Sequence, residues 1–453
     1  MNRRAAFWPA AAAFVVVMLG TTLPTPLYPL YARAFGFGEI LVTIIFAAYA
    51  LGVIAGLLLF GRLSDEIGRR RVLLPALMLS ALSAIAFLLA RGVPAMFIGR
   101  LLSGLSAGIF TGCATAMLVE LADEQHRNVA TVLAVAANLG GLALGPLLAG
   151  LLAEYASFPL RIPYAVDLAL LLPVTLGFLF VPETVANPKR RAYLRLQRIR
   201  IPPEIRAVFV RAAIVGCCGF AVAGVFSAVA PSILSSVLHV AGPAAAGTLV
   251  FLFLGTAAAG QFAVKALPRR GAFRSACAVL VVGLGLLAWA VAAHSPELLF
   301  LSAAVAGFGE GLTVSFGLVQ INKRVKERRG EVISSYFVIL YLGLIAPVVG
   351  LGILSTLIGL SLAAEVFCAV IGATVAGVML TVAKTSAMED KHAHPHEHDG
   401  VEHEHPHEHL EHEHEHKHAS GEVHSHVHRH DEHEHAADGS QNPVHSELHD
   451  HED

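Results

Sequence analysis

Three groups of residues in this sequence are of types and spacings that can do chemistry. The first is a pair of charges inside apolar runs, Arg100 in Ile98-Gly99-Arg100-Leu101-Leu102 and Glu310 in Gly307-Phe308-Gly309-Glu310-Gly311. A charge at the centre of a membrane helix costs about 2.5–3.5 kcal/mol on insertion scales, so such residues invite a functional reading. A buried carboxylate can take up and release a proton, which is what Glu310 offers, or it can simply bond a neighbouring helix. Arg100, about 9 Å inside a helix end, can act in coupling or reach back to the interface. Asp167 and Glu365 are further candidates, after Glu310, for the same proton-coupling role. The second group is Asp65, Arg69 and Arg70, framed by Gly61 and Gly68, with Glu120 at the end of a later apolar run. The third is a tail in which His403, His405, His407, His409, His412, His414, His416 and His418 are interspersed with Glu. Neutral imidazoles at alternate positions suit Ni²⁺, Co²⁺ or Zn²⁺, and the glutamates supply charge.

The elements that position these groups follow from composition. Of 453 residues, 55% are hydrophobic and 15% charged, with a mean hydropathy of +0.64, too apolar for ordinary soluble domains. The charge is partitioned: the chain up to Lys384 has 29 Lys and Arg against 15 Asp and Glu, and residues 385–453 have 3 against 19. Cys113, Cys217, Cys218, Cys277 and Cys368 all sit in apolar runs and predict no disulfide framework. Met1–Gly20 has Arg3 and Arg4 before an apolar stretch, but no small-residue cleavage site precedes Pro24-Thr25-Pro26, so an uncleaved first helix is expected.

Crossing a hydrocarbon core of about 30 Å takes roughly 20 apolar residues as a helix. Twelve stretches qualify, at approximately 7–32, 39–60, 72–90, 94–121, 129–153, 162–181, 207–237, 243–265, 273–293, 296–321, 331–356 and 359–383. Alternating the loops puts Arg3, Arg4, Arg62, Arg69–Arg71, Arg127, the run 189–211, 265–274 and 323–329 on one face, and Arg33, Arg91 and Arg161 on the other. The positive-inside rule makes the basic face cytoplasmic, with both termini in the cytosol of an inner-membrane protein. This basicity belongs to topology, and no nucleic-acid partner is expected. The division is a six-helix half at 1–181, a basic linker at 182–206, a second half at 207–384 and a His-rich tail at 385–453, too poor in hydrophobes to fold on a core of its own. An internal repeat supports two related halves: Leu118-Val119-Glu120 recurs as Leu318-Val319-Gln320, Pro146 as Pro347 and Arg69-Arg70 as Arg269-Arg270, at an offset near 200.

The loop Gly61-Arg62-Leu63-Ser64-Asp65-Glu66-Ile67-Gly68-Arg69-Arg70-Arg71 resembles the signature G-x-L-x-D-x-x-G-R-R/K of the major facilitator superfamily. The resemblance implies an all-α integral membrane fold of twelve transmembrane helices in two pseudo-symmetric halves. It also implies that Asp65 faces a helix N-terminus of the opposite half in a gating latch and that Arg69 is tied to an acid ending helix four, here Glu120. Arg100-Leu101-Leu102-Ser103-Gly104-Leu105-Ser106-Ala107-Gly108 is similar to the family's second motif. Gly141-Leu142-Ala143-Leu144-Gly145-Pro146-Leu147-Leu148-Ala149-Gly150 resembles the helix-five motif of drug and proton antiporters, with Ala149 in place of a glycine. The second half lacks an acid matching Asp65, so a second latch of the same kind is not expected.

In helix one, Thr21-Thr22-Leu23-Pro24-Thr25-Pro26-Leu27-Tyr28-Pro29 predicts irregular backbone, tolerable only where it lines protein or a cavity. Thr22, Tyr28 and Asn138 can then reach a substrate or bond neighbouring helices. No G-x-x-x-x-G-K-[ST] occurs, so nucleotide hydrolysis is unsupported and an ion gradient, of protons, is the expected energy source. The expectation is a non-enzymatic, proton-coupled exporter needing no cofactor. Its cargo is a transition-metal ion or chelate, with the tail collecting metal as in the nickel-resistance efflux proteins it resembles, or an organic compound, with the tail as an accessory metal binder. A membrane metal sensor is the rival of another class.

Overall fold

The computed structural model describes residues 3–389 apart from 62, 190–196, 198–200, 265–270 and 326–328, together with four short strands between 392 and 428. In lipid every backbone N–H and C=O must be satisfied within the protein, and the described body, Met1–Leu380, does this with helices. We number the long helices α1 (Arg3–Phe35), α2 (Glu39–Phe60), α3 (Arg69–Leu88), α4 (Val93–Leu121), α5 (Arg127–Tyr155), α6 (Ile162–Phe178), α7 (Arg206–Ala228), α8 (Pro243–Ala263), α9 (Ala272–Ala292), α10 (Pro296–Arg324), α11 (Arg329–Ile358) and α12 (Leu360–Glu389). Eleven of them are long and apolar enough to cross a membrane; α6, with 17 residues, is shorter. At 1.5 Å per residue it spans about 26 Å, close to the hydrocarbon thickness. The twelve-helix expectation is met in this form.

α1 is interrupted where its prolines predict. An α-helix over Arg3–Thr22 gives way to a 3₁₀ turn at Thr25–Leu27, and helix resumes at Tyr28–Phe35, ended by Gly36 with φ 69°. Met78, Leu101, Leu172, Val282, Leu301 and Leu357 point outward from the bundle. In water such a skin would drive aggregation; in lipid it is the solvated surface.

Packing inside the bundle repeats between the halves. On α4, a Cβ at Gly104 or Gly108 would collide with the carbonyl oxygens of Tyr49 and Val53 of α2. On α10, a Cβ at Gly307 or Gly311 would collide with those of Phe253 and Ala257 of α8. Each pair is spaced small-xxx-small, which lets two helices approach backbone to backbone where apolar burial gives no advantage over lipid. Hydroxyls follow the same plan: Ser106 donates to the Ala76 carbonyl (2.7 Å) and Ser302 to that of Gly283 (2.9 Å).

The second unit, Thr381–Asp453, contains two antiparallel strand pairs, His392–His398 with Val401–His407 and His412–Lys417 with Val423–His428. Their register sets His394 opposite His405 and His414 opposite His426. Of the histidines singled out above, His409 and His418 lie outside the described residues.

The seams predict a contrast within one helix. Gly104→Val, which drives a side chain into the α2 backbone, should lower the thermal midpoint of the purified protein by an amount matching about 1–3 kcal/mol of overpacking. Gly112→Ala, with nothing within 4 Å of the new Cβ, should leave the midpoint unchanged or raise it. Equal losses in the two variants would contradict this packing.

Candidate functional site

Both chain ends of the twelve-helix body lie at one end of the bundle, here the terminal end; the other is the far end. At the terminal end Arg69 opens α3 and is the centre of a charged cluster. Its guanidinium pairs with Asp65 and with Glu120 (3.1 Å) and donates to Ser64 Oγ (2.6 Å). Glu120 Oε2 in turn accepts from the Thr184 hydroxyl at 2.5 Å. The structure therefore brings Asp65, Arg69 and Glu120 together. Among the described residues Asp65 is engaged within its own half, and no contact to an opposite helix N-terminus is seen.

Glu183, which sequence reasoning passed over, completes this cluster. One carboxylate oxygen accepts from the Arg69 backbone N–H (2.8 Å) and the other from that of Arg70 (3.1 Å), capping α3 where the helix dipole favours negative charge. Gly68 stands at φ 110°, and a Cβ there would strike the Glu183 carboxylate, so the glycine serves both the turn and the cap. Arg70 donates to the Leu179 carbonyl at 2.6 Å. A usable sequence signal existed: Pro182-Glu183-Thr184 directly follows an apolar span.

Mid-bundle, Arg100 is 1% exposed and so does not reach back to the interface. It donates to Tyr28 Oη (2.7 Å) and to the Thr21 carbonyl (2.6 Å), and lies 5.1–5.9 Å from the ring centroids of Tyr28, Tyr49 and Phe46. Cation–π attraction and these bonds replace water for a buried guanidinium. Its Nη2 has no partner. Thr22, a candidate for substrate contact, instead donates to the Leu142 carbonyl of α5 at 2.9 Å. Asn138 is half-buried with an unpartnered Oδ1. Glu310, 6% exposed, packs towards α7, where a Cβ on Gly219 would sit 3.3 Å from its Cγ. Among the described residues no cation pairs with it. Nor does any group of three or more His, Cys, Asp or Glu among them stand close enough to hold a metal ion.

The helix-five motif forms a two-sided seam. Gly141 and Gly145 face α1, where added Cβ atoms would strike the carbonyl oxygens of Val15 and Leu19. Pro146 and Gly150 face α8 of the other half: a Cβ on Gly247 would strike the Pro146 carbonyl, and one on Gly150 would lie 3.0 Å from Gly247 Cα. Beyond this crossing Glu154 Oε2 accepts from the Ala244 N–H (3.3 Å), capping α8 across the halves. Thr43 of α2 meets Gly352 of α11 at the same end. Between Pro26, Pro29, Leu30, Pro231 and Leu234 a cleft of only ≈ 30 Å³ remains, room for a water or two. Nearer the terminal end, Gly140 on α5 and Gly255 on α8 have nothing within 4 Å of a Cβ position, and Val129, Val132 and Leu133 are exposed. The far end is thus closed where α5 crosses α8, backbone against backbone.

The cap predicts that Glu183→Ala lowers stability by about 0.5–2 kcal/mol, the usual value of an N-cap. Glu66→Ala, which loses only a 3.4 Å exposed pair with Lys189, should change it by less than about 1 kcal/mol. Thermal midpoints of the two purified variants check this; equal shifts would contradict the cap.

Comparison with known proteins agrees with the geometry. Residues 10–347 match the model of the Major Facilitator Superfamily. The chain is 32% identical over 166 residues to Major facilitator-type transporter psiT2 of Psilocybe cyanescens, covering 34% of this chain and 31% of that protein. It is 30% identical over 200 residues to Cephamycin export protein CmcT of Amycolatopsis lactamdurans, covering 44% and 40%. The matches therefore span well under half the length of these relatives. Among solved structures, a bacterial homolog of the human lysosomal transporter Spinster, in an inward-facing and unoccupied conformation, superposes with a TM-score of 0.60 at 13% identity, covering 85% of this chain and 95% of that one. Helix plan, signature loop and the match over most of the chain agree: this protein belongs to the Major Facilitator Superfamily, a family of membrane transporters rather than enzymes.

Proposed function

We propose that this chain is a secondary active exporter that moves small organic molecules out of the cytosol in exchange for protons, by rocking one six-helix half against the other. The observation that carries the reading is the α5–α8 crossing: the helix-five motif closes the far end with Gly150 against Gly247 of the other half. A substrate path sealed at one end is one state of an alternating-access cycle. On this reading the terminal end is cytoplasmic, both termini lie in the cytosol of an inner-membrane protein, and the structure is the outward-closed state. Partial matches to an antibiotic export protein point in the same direction.

Roles follow from position. Asp65, Arg69 and Glu120 form the cytoplasmic latch. Asn138, with its unpartnered oxygen, is the group that meets substrate; Tyr28, fully buried with its hydroxyl on Arg100, and Thr22, bound to α5, hold α1 in place. Glu310, buried with no cation paired to it among the described residues, is the carboxylate that carries the coupled proton, and Arg100 links α4 to the bend of α1. A second reading, export of Ni²⁺, Co²⁺ or Zn²⁺ as ion or chelate, is favoured by the tail, where histidines alternate with glutamates.

Inside-out vesicles with an imposed proton gradient separate these readings. Organic export predicts gradient-driven accumulation of ethidium, retained after truncation beyond Lys384 and lost in Glu310→Gln. Accumulation of Ni²⁺ that weakens on truncation would replace it with metal export. No gradient-driven flux of either would overturn both and leave the sensor.

A further inference from the structure

Asp167 of α6 plays no part in the site described above, yet it is among the most deeply buried charged residues of the bundle, 2% exposed, and its Oδ1 has no hydrogen-bond partner. Its carboxylate lies directly on the backbone of α1: a Cβ on Gly20 would stand 2.8 Å from Oδ2 and 3.0 Å from Oδ1. A side chain at this position would have to displace the carboxylate. Gly20 lies in the last turn of the helical segment Arg3–Thr22, just before the break at Leu23 and Pro24, and Arg100 holds the Thr21 carbonyl in that turn. Beyond the break, the turn at Thr25–Leu27 packs on α8, so this hinge leads directly to the closed far end.

The surroundings of Asp167 supply no counter-charge. α6 packs on α1, α3 and α5. The charges of these helices sit at their ends: Arg3, Arg4 and Arg33 on α1, Arg69, Arg70 and Arg71 on α3, Arg127 and Glu154 on α5. The other titratable groups on these helices are phenols, Tyr28 and Tyr31 on α1, Tyr155 at the end of α5 and Tyr164 one turn before Asp167 on α6, whose own Oη is unpartnered. Arg100 reaches α1 from α4 and spends its contacts on Thr21 and Tyr28. Among the described residues none makes an ion pair or hydrogen bond with Asp167.

We propose that Asp167 is a second proton-binding carboxylate of the transport cycle, placed so that proton occupancy sets the hinge of α1. This rests on the reading of proton-driven exchange and adds to it a second site in the first half. An ionised carboxylate pressed on a helix backbone, 2% exposed and with no cation paired to it among the described residues, is costly, so the closed packing against Gly20 belongs to the protonated form. Losing the proton favours withdrawal of α1 and entry of water to Oδ1. The O–H bond forms with a proton from the far side while the far end is open and breaks by release to water on the terminal side; no other reactant takes part. The resulting exchange moves two protons per cycle, one on Glu310 and one on Asp167.

Infrared difference spectroscopy of the full-length protein in lipid, titrated in pH, tests this without a transported substrate. The wild type should show two components in the C=O stretch of protonated carboxyls, one lost in Asp167→Asn and the other in Glu310→Gln. An Asp167→Asn spectrum with both components intact overturns the proposal. Loss in Asp167→Asn alone, with Glu310→Gln unchanged, leaves it standing and refutes the role given to Glu310. Should Asp167→Asn fail to fold, Gly20→Ala keeps the carboxyl but crowds it, and must shift that component while Gly112→Ala does not; an unshifted band overturns the proposal.

Discussion

At the crossing of α5 and α8 no side chain separates the helices, because Gly150 and Gly247 each face the other's backbone. In lipid, where burying apolar surface earns little, such backbone contact is a principal source of helix–helix attraction, and it is short in range. A Cβ on either glycine would push the halves apart, and with them the small far-end cleft and the Glu154 cap on α8. The contact is therefore tight and confined to the far end.

Other contacts fix the helices on either side of this seam. The glycine-spaced pairs α2–α4 and α8–α10 bind each half internally. Pro146 marks where α5 changes partners, with Gly141 and Gly145 on α1 to one side and Gly150 on α8 to the other. Thr22 bonded to Leu142 and Arg100 bonded to Thr21 carry α1 along with α5 and α4. At the terminal end, the cluster of Asp65, Arg69, Glu120, Glu183 and Thr184 ties the ends of α4 and α6 to the start of α3.

Sequence reasoning reached those features whose cause is local. Apolar length marked the spans, prolines marked the break in α1, and the signature loop linked Arg69 to Glu120 because motif and chemistry coincide in those residues. Glu183 escaped because its partners stand 113 and 114 residues away and a single acid after a span has many uses. Thr22 was open between substrate and helix contact, and only the fold shows that the Leu142 carbonyl already occupies it. Arg100 likewise had two routes, outward or inward, decided by three aromatic rings from α1 and α2. That Asp167 faces Gly20 depends on how α6 packs on α1, which no residue pattern in either helix records.

The central claim is that the α5–α8 seam is the far-side gate and opens during transport. Spin labels at Tyr155→Cys on α5 and Thr248→Cys on α8, with the native cysteines replaced, report the distance across it in lipid nanodiscs. Measured at acid and alkaline pH, with and without ethidium, the distance should be short and single in the state described here and acquire a second, longer population when conditions shift. A single short distance under every condition, in protein that still transports, would contradict the account.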